Sequence, residues 1–253
     1  KNMGQDAPKQ TEYHASSNSN KRTKSTEQVQ GQGCAFVACL WGTKPECFVD
    51  ALVLGWSLYR TGTEHDCILL MTGDAYMQPV RSLLEMFWQI RKVEHVEVTS
   101  KLVQGCKDKF CHTFTKLRAW ELIEYSKIVL LDVDLLVMKD VNELFSMPTP
   151  MAYHRGHKEQ AVGNKRGEET WYDRNGHPRS GINAGVIVLT PSGADQMLAD
   201  VMSESATHRA TTAPEQDYLS RRFMGEWHPL LMKYLKKRAT EHLFLARNSS
   251  FHS

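Results

Sequence analysis

Two carboxylates carry the most chemistry in this chain. Asp132 and Asp134 close the run Ile128-Val129-Leu130-Leu131-Asp132-Val133-Asp134. Four apolar residues lead straight into acids at i and i+2. In extended chain that spacing aims both acids to one side while Val133 points away. Paired like charges repel, so a divalent cation is the natural reason to set them together. Carboxylate oxygens suit Mn²⁺ or Mg²⁺, which take their remaining ligands from water and phosphate. A bare D-x-D is a weak signal, and the buried strand in front of it is what strengthens it. The plain alternative is one Asp capping a turn and the other solvated. A phosphatase with its nucleophile in a D-x-D on a first strand fits poorly, because this motif lies in mid-chain.

Other groupings are less specific. Cys106-x4-Cys111-His112 and His154-x2-His157 resemble halves of a zinc site, but no second matched pair accompanies them, and they read as loop residues. Gly31-x-Gly33 precedes a strand instead of following one, so it is no dinucleotide loop. Trp56, Trp88 and Trp120 fit the core faces of helices, whereas Trp171-Tyr172 reads either as an acceptor platform or as a structural plug.

Strands and helices in alternation must position these groups. Cys34–Leu40, Cys67–Met71, Val93–Val98 and Ile128–Leu131 read as strands, with later ones at Pro150–Tyr153 and Gly185–Leu189. Helices are expected over Pro45–Tyr59, around Val80, Leu83, Leu84 and Phe87, and over Thr113–Tyr125, whose apolar side holds Leu117, Trp120, Leu122 and Ile123. The near-continuous apolar run before Asp132 suits a strand buried on both faces. This alternation predicts an α/β fold with a mostly parallel, Rossmann-like sheet and helices on both faces. In such sheets ligands bind beyond the carboxyl ends of the strands, where both acids fall. Residues 154–181 read as a long polar loop.

Composition bounds the partners. The 253 residues carry 31 basic and 29 acidic side chains, a net charge of +2. Residues 1–33 hold five bases against three acids, so the remainder is neutral, which argues against nucleic acid as the main partner. That segment, rich in Ser, Thr, Asn, Gln and Lys, reads as a disordered tail before a single domain over 34–253, and a partner protein contacting the tail is one expectation. No apolar stretch approaches the roughly 20 residues a membrane span needs. Cysteines inside apolar runs favour reduced thiols and a cytoplasmic compartment, although a targeting segment upstream of Lys1 stays open.

Several pieces together resemble family-8 glycosyltransferases, the glycogenin group. They are Thr115-Lys116-Leu117-Arg118-Ala119-Trp120, Tyr125-Ser126-Lys127, the D-x-D strand, and Asp140-Val141-Asn142-Glu143-Leu144-Phe145. Ala51-Leu52-Val53-Leu54-Gly55, Asn183-Ala184-Gly185-Val186-Ile187-Val188 and Glu215-Gln216-Asp217 follow in the family's order, the last where D-Q-G is usual. The resemblance covers roughly residues 34–230. It implies the A-type glycosyltransferase fold and retaining hexosyl transfer from a UDP-sugar, typically UDP-glucose or UDP-galactose, with Mn²⁺ or Mg²⁺ and an unknown acceptor. By the same resemblance Asp132 and Asp134 bind the metal. Lys116, Asn183 and Gln216 contact the donor, with Leu40, Val133, Asp132, Asp134 and Ala184 among its binding positions. Gln216 and Glu215 stand at the reacting centre.

The chain also departs from the family. The aromatic that packs on uracil aligns with Cys47, beside Phe48. The closing H-F-x-G-x-x-K-P-W segment, whose histidine completes the metal shell and whose lysine clamps the phosphates, is not found; His242 and His252 stand outside any such motif. The expectation is therefore loose UDP binding with slow donor hydrolysis or no turnover. The alternative is a catalytically impaired module serving as a binding or structural subunit.

Overall fold

The computed structural model describes residues 31–98, 112–155, 181–203, 214–230 and 245–247. Its centre is the apolar run β1 (Cys34–Leu40), paired in parallel with β2 (Asp66–Thr72) on one side and with β4 (Lys127–Leu131) on the other. Beyond β2 lies β3 (Gln89–Val93), also parallel. Beyond β4 lie β7 (Gly181–Leu189), antiparallel to it, then β6 (Met151–Arg155) and β8 (His228–Pro229). The seven strands run β3-β2-β1-β4-β7-β6-β8. The chain works outward from β1 to β3 and then returns to the far side of β1, so β1 and β4 flank the switch point at which open α/β sheets bind ligands.

Both sheet faces are covered, as the apolar runs predict. Alternation sends Phe36, Ala38, Leu40, Leu69, Met71, Val129 and Leu131 to one face, under α1 (Pro45–Arg60). Ala35, Val37, Cys39, Ile68, Leu70, Ile128 and Leu130 meet the other cover: the 3₁₀ segment Thr113–Glu121, α4 (Ala194–Met202) and α5 (Pro214–Arg222). Pro45 opens α1, where a missing N–H costs nothing. Trp88 Nε1 donates to the Ala51 carbonyl at 2.9 Å. The indole lies so close to α1 that a Cβ on Gly55 would meet Trp88 Nε1 at 2.3 Å.

Several elements differ from expectation. Thr113–Glu121 is 3₁₀, not α-helical. Its fully buried large residues Phe114, Leu117 and Trp120 recur every third position, the spacing that eclipses side chains on a 3₁₀ helix. Ile123 continues that count, but the chain has already left the helix at Leu122, and Ile123 is 66% exposed. The helix expected around Val80–Phe87 is reduced to the single turn α3 (Arg81–Leu84), and a separate turn, α2 (Gly73–Tyr76), precedes Pro79. The third strand covers Gln89–Val93 instead of Val93–Val98, because the Val96 amide leaves the sheet to donate to Thr115 Oγ1 at 3.3 Å. Trp56 is 44% exposed, with the Arg60 guanidinium over its ring, whereas Trp88 and Trp120 are buried as expected. Strand β7 starts at Gly181, four residues before the expected Gly185.

After β4 the chain turns into β5 (Leu135–Val137), pinned to α1 where the Val137 amide donates to Ser57 Oγ at 3.0 Å. A second 3₁₀ turn, Asn142–Ser146, follows. Strand β9 (Leu245–Arg247) pairs antiparallel with β5, setting Arg247 opposite Leu135. Its C-terminal end is therefore the end beside Asp134. Residues 1–30 of the N-terminal tail, the loop core 156–180 with Trp171-Tyr172, the Cys106–Cys111 stretch and both His242 and His252 lie outside the described residues. Among those described, no helix is long and apolar enough to cross a membrane.

Candidate functional site

The β4 ladder continues one step past the strand, where the Asp132 amide donates to the Gly185 carbonyl at 2.9 Å. The chain then turns sharply, with the Leu135 amide donating to the Asp132 carbonyl at 3.3 Å. The D-x-D is thus a tight turn and not the extended chain expected. Asp132 meets the 3₁₀ segment, while Asp134 is within electrostatic range of Cys47 in the first turn of α1.

Lys116 occupies the floor. Its 3₁₀ segment packs across the sheet face that carries Leu130, the face to which Asp132 also belongs. Lys116 Nζ donates to Asp132 Oδ1 through a short ion pair and to Glu215 Oε1 at 3.2 Å. Only 10% of the Lys116 side chain is exposed, and only 4% of that of Glu215. Burial alone would push the ammonium toward neutrality, but Asp132 and then Glu215 more than reverse this and hold it charged well above the ordinary lysine range. The neighbouring Cys39 thiol is pushed up to about 12 by burial, and so stays protonated.

The opposite wall is a break in a ladder. Between Ala152 and Tyr153 of β6 the partner jumps from Ile187 to Asn183 of β7, leaving Ala184–Val186 as an irregularity. Such bulges re-aim backbone beside sites. Here the freed Ala184 amide donates to Gln216 Oε1 at 3.1 Å, and Asn183 Oδ1 accepts from the Gly185 amide at 2.9 Å. Gly185 leaves room for two side-chain tips. A Cβ there would stand 2.9 Å from Asn183 Oδ1 and 3.3 Å from Asp132 Oδ2. Helix α5 is fixed to the same wall by Ser220, whose Oγ donates to the Gln216 carbonyl at 2.6 Å and accepts from the Ile182 amide at 2.9 Å.

The structure therefore brings together Lys116, Asp132, Glu215, Gln216, Asn183 and Ala184. Leu40 is placed differently: its side chain is 1% exposed in the core under α1, and its carbonyl accepts from Thr72 Oγ1 at 3.5 Å. Val133 packs partly buried against the same core. Phe48, the neighbour of Cys47, is 3% exposed in the core, and half-buried Cys47 packs against the same cluster. Sequence reasoning missed the pairing of Lys116 with Glu215 across 99 positions. It also missed Ser220, for which the chain offers no local signal. A glycine inside an apolar strand did mark the bulge.

This fold, an open α/β sheet with charged groups at its switch point, is the A-type glycosyltransferase fold. The galactosyltransferase LgtC, solved with donor and acceptor sugar analogues, superposes with a TM-score of 0.55 at 12% identity, over 86% of this chain and 87% of that one. The bifunctional glycosyltransferase WbbM superposes with a TM-score of 0.53 at 15% identity, over 82% and 40% of the two chains. The glycosyl transferase family 8 model matches residues 63–236, and the chain belongs to that family. It is 29% identical to protein R707 of Acanthamoeba polyphaga mimivirus, over 79% of this chain and 70% of the viral one. It is 26% identical to UDP-glucuronate:xylan alpha-glucuronosyltransferase 2 of Arabidopsis thaliana, over 74% of this chain but 27% of the plant protein. Galactinol synthase 1 of Solanum lycopersicum is 24% identical, over 84% and 67% of the two.

Proposed function

We propose that this chain transfers a hexosyl group, with retention, from a UDP-sugar to an acceptor, using a divalent cation at Asp132 and Asp134. The observation that carries the reading is the convergence at the carboxyl end of β4. There Lys116 joins Asp132 to Glu215, and Gln216 docks on the β7 bulge.

The residues present fit such a cation. Two carboxylates at a switch point are hard oxygen donors suited to Mn²⁺ or Mg²⁺. Gly185 leaves space over Asp132 Oδ2 that a Cβ would fill. Among the described residues no cluster of three or more His, Cys, Asp or Glu forms a ready set, so the donor diphosphate and water would complete the shell. Bound there, the cation would supply positive charge against the departing UDP. The chain's own groups do the rest. Asp132, fixed through Oδ1 by Lys116, presents its other oxygen toward the bulge. The Lys116 charge lies beside the diphosphate position. Asn183 and Ala184 line the sugar side, and Gln216, held by the Ala184 amide and by Ser220, stands at the anomeric side. The position of Cys47 gives the base a small thiol where the family presents an aromatic ring.

The named relatives make UDP-glucuronate a donor to test beside UDP-glucose and UDP-galactose. The purified 253-residue chain, incubated with each donor and Mn²⁺, is expected to release UDP, and Asp134→Asn is expected to stop that release. Binding of Mn²⁺–UDP without turnover of any donor would instead favour the binding-module reading.

A further inference from the structure

One buried ammonium here serves two carboxylates from distant elements, and the sharing has a consequence for the cation site. Lys116 Nζ lies against Asp132 Oδ1 and at 3.2 Å from Glu215 Oε1. Glu215 sits in the first turn of α5, 3% exposed, far too enclosed to trade its partner for bulk water. Lys116 therefore neutralises only part of either acid.

We infer that Glu215 is a positioning residue that sets how tightly the D-x-D end holds its cation, by sharing the Lys116 charge with Asp132; the inference rests on the donor-site reading above. Without the Glu215 charge, Lys116 has Asp132 as its one strong anion and compensates it fully. The Asp132 oxygens then have less charge to offer a metal. With Glu215 in place, the ammonium is held between the two acids, and Asp132 keeps one oxygen engaged and the other available. Glu215 thus acts through Lys116, not by touching the sugar. This explains how a longer acid is accommodated where the family has aspartate: the glutamate reaches the lysine.

A double-mutant cycle on the full chain separates this role from direct contact or simple structure. Mn²⁺ is titrated at a fixed UDP concentration, with free Mn²⁺ read by its electron paramagnetic resonance signal; UDP lacks the transferred hexose, so a contact to that hexose is silent. Glu215→Gln is expected to weaken Mn²⁺ binding about tenfold in the wild-type background, and about twofold or less in the Lys116→Met background, the coupling expected of residues in one ion-pair network. Glu215→Asp is expected to recover most of the loss, since it keeps the charge. Circular dichroism checks that each variant folds; should Lys116→Met not fold, Lys116→Gln, which retains a donor between the acids, takes its place in the cycle. Equal losses in both backgrounds, or no loss from Glu215→Gln, would overturn the inference while leaving the donor site standing. A wild-type chain that binds no Mn²⁺ with UDP would instead overturn the donor-site reading itself.

Discussion

At the end of the central strand β4, Lys116 lies between Asp132 and Glu215 with 10% of its side chain exposed. At the end of the edge strand β3, His95 Nε2 stands 3.3 Å from Asp74 Oδ1, with 29% and 40% of those side chains exposed. His112 completes the second cluster, its ring centroid 4.4 Å from that of His95. Both clusters occupy the carboxyl edge of one parallel sheet. They differ because β4 has strands on both sides and helices over both faces, whereas β3 has a neighbour only in β2. Enclosure turns the central charges into permanent fixtures, since a buried ammonium between two acids has no route to neutrality near pH 7. The edge cluster stays within reach of water, and its charge follows pH.

The largest expected effect is on ligand binding. Asp132→Asn should lower Mn²⁺–UDP affinity by on the order of 100-fold, because a metal ligand is lost outright. Asp74→Asn, at the edge, should change it by about twofold or less, within the range of a distant surface change. Calorimetric titration of the two variants breaks the comparison if their losses are equal.

A middle-sized effect is expected from two glycines. Gly185→Ala drives a Cβ to 2.9 Å from Asn183 Oδ1 and 3.3 Å from Asp132 Oδ2. It should cost about 1–3 kcal/mol of stability, as overpacking does, and weaken Mn²⁺–UDP binding as well. At the edge, a Cβ on Gly73 would meet only Lys92 Cε, at 3.6 Å. Gly73→Ala should therefore stay within about 0.5 kcal/mol of wild type in urea unfolding. Equal destabilisation by the two changes would mean that the bulge is not the crowded wall described.

The smallest effect is the pH dependence of the edge. Burial first, and then the neighbouring His95, push the His112 pKa down. The unfolded chain then binds this proton more readily than the folded one, so stability is lost as pH falls through the ordinary histidine value. Asp74 is depressed: burial raises its pKa, but hydrogen bonds from Thr72 and the Ala75 amide, with His95, lower it further. Its contribution is present above the ordinary Asp value and is lost only as pH falls through the depressed folded one, in a separate, more acid window. Lys116, raised by its acids, loses its contribution only in alkali. Between pH 7.5 and 5.5 His112→Asn should therefore flatten the fall of the thermal midpoint, by no more than about 2 °C. An unchanged slope would remove His112 from the titrating set.

Much of the central region was legible in the sequence, because buried strands write their own pattern. The run Ile128–Leu131 announces a strand covered on both faces, and two acids at its end announce a site. The turn geometry of Asp132–Asp134 was not legible, because it depends on the Leu135 amide closing back on Asp132 and on β5 docking along α1. Phe114, Leu117 and Trp120 repeat every third residue, yet the stretch passes for an α-helix unless that period is separated from 3.6. At the edge the pattern misleads more, since Val96 is buried although it lies beyond β3, its amide bonded to Thr115 of the 3₁₀ segment. Contacts such as Lys116 with Glu215 join positions 99 apart, and no local rule reaches that far.

The central question is whether the carboxyl end of β4 binds a metal-bridged nucleotide. Calorimetric titration of UDP into the 253-residue chain, with and without Mn²⁺ and again with Asp132→Asn, tests this most directly. Saturable UDP binding that requires Mn²⁺ and disappears in the variant is expected. UDP binding that is indifferent to Mn²⁺, or unchanged by Asp132→Asn, would contradict that expectation.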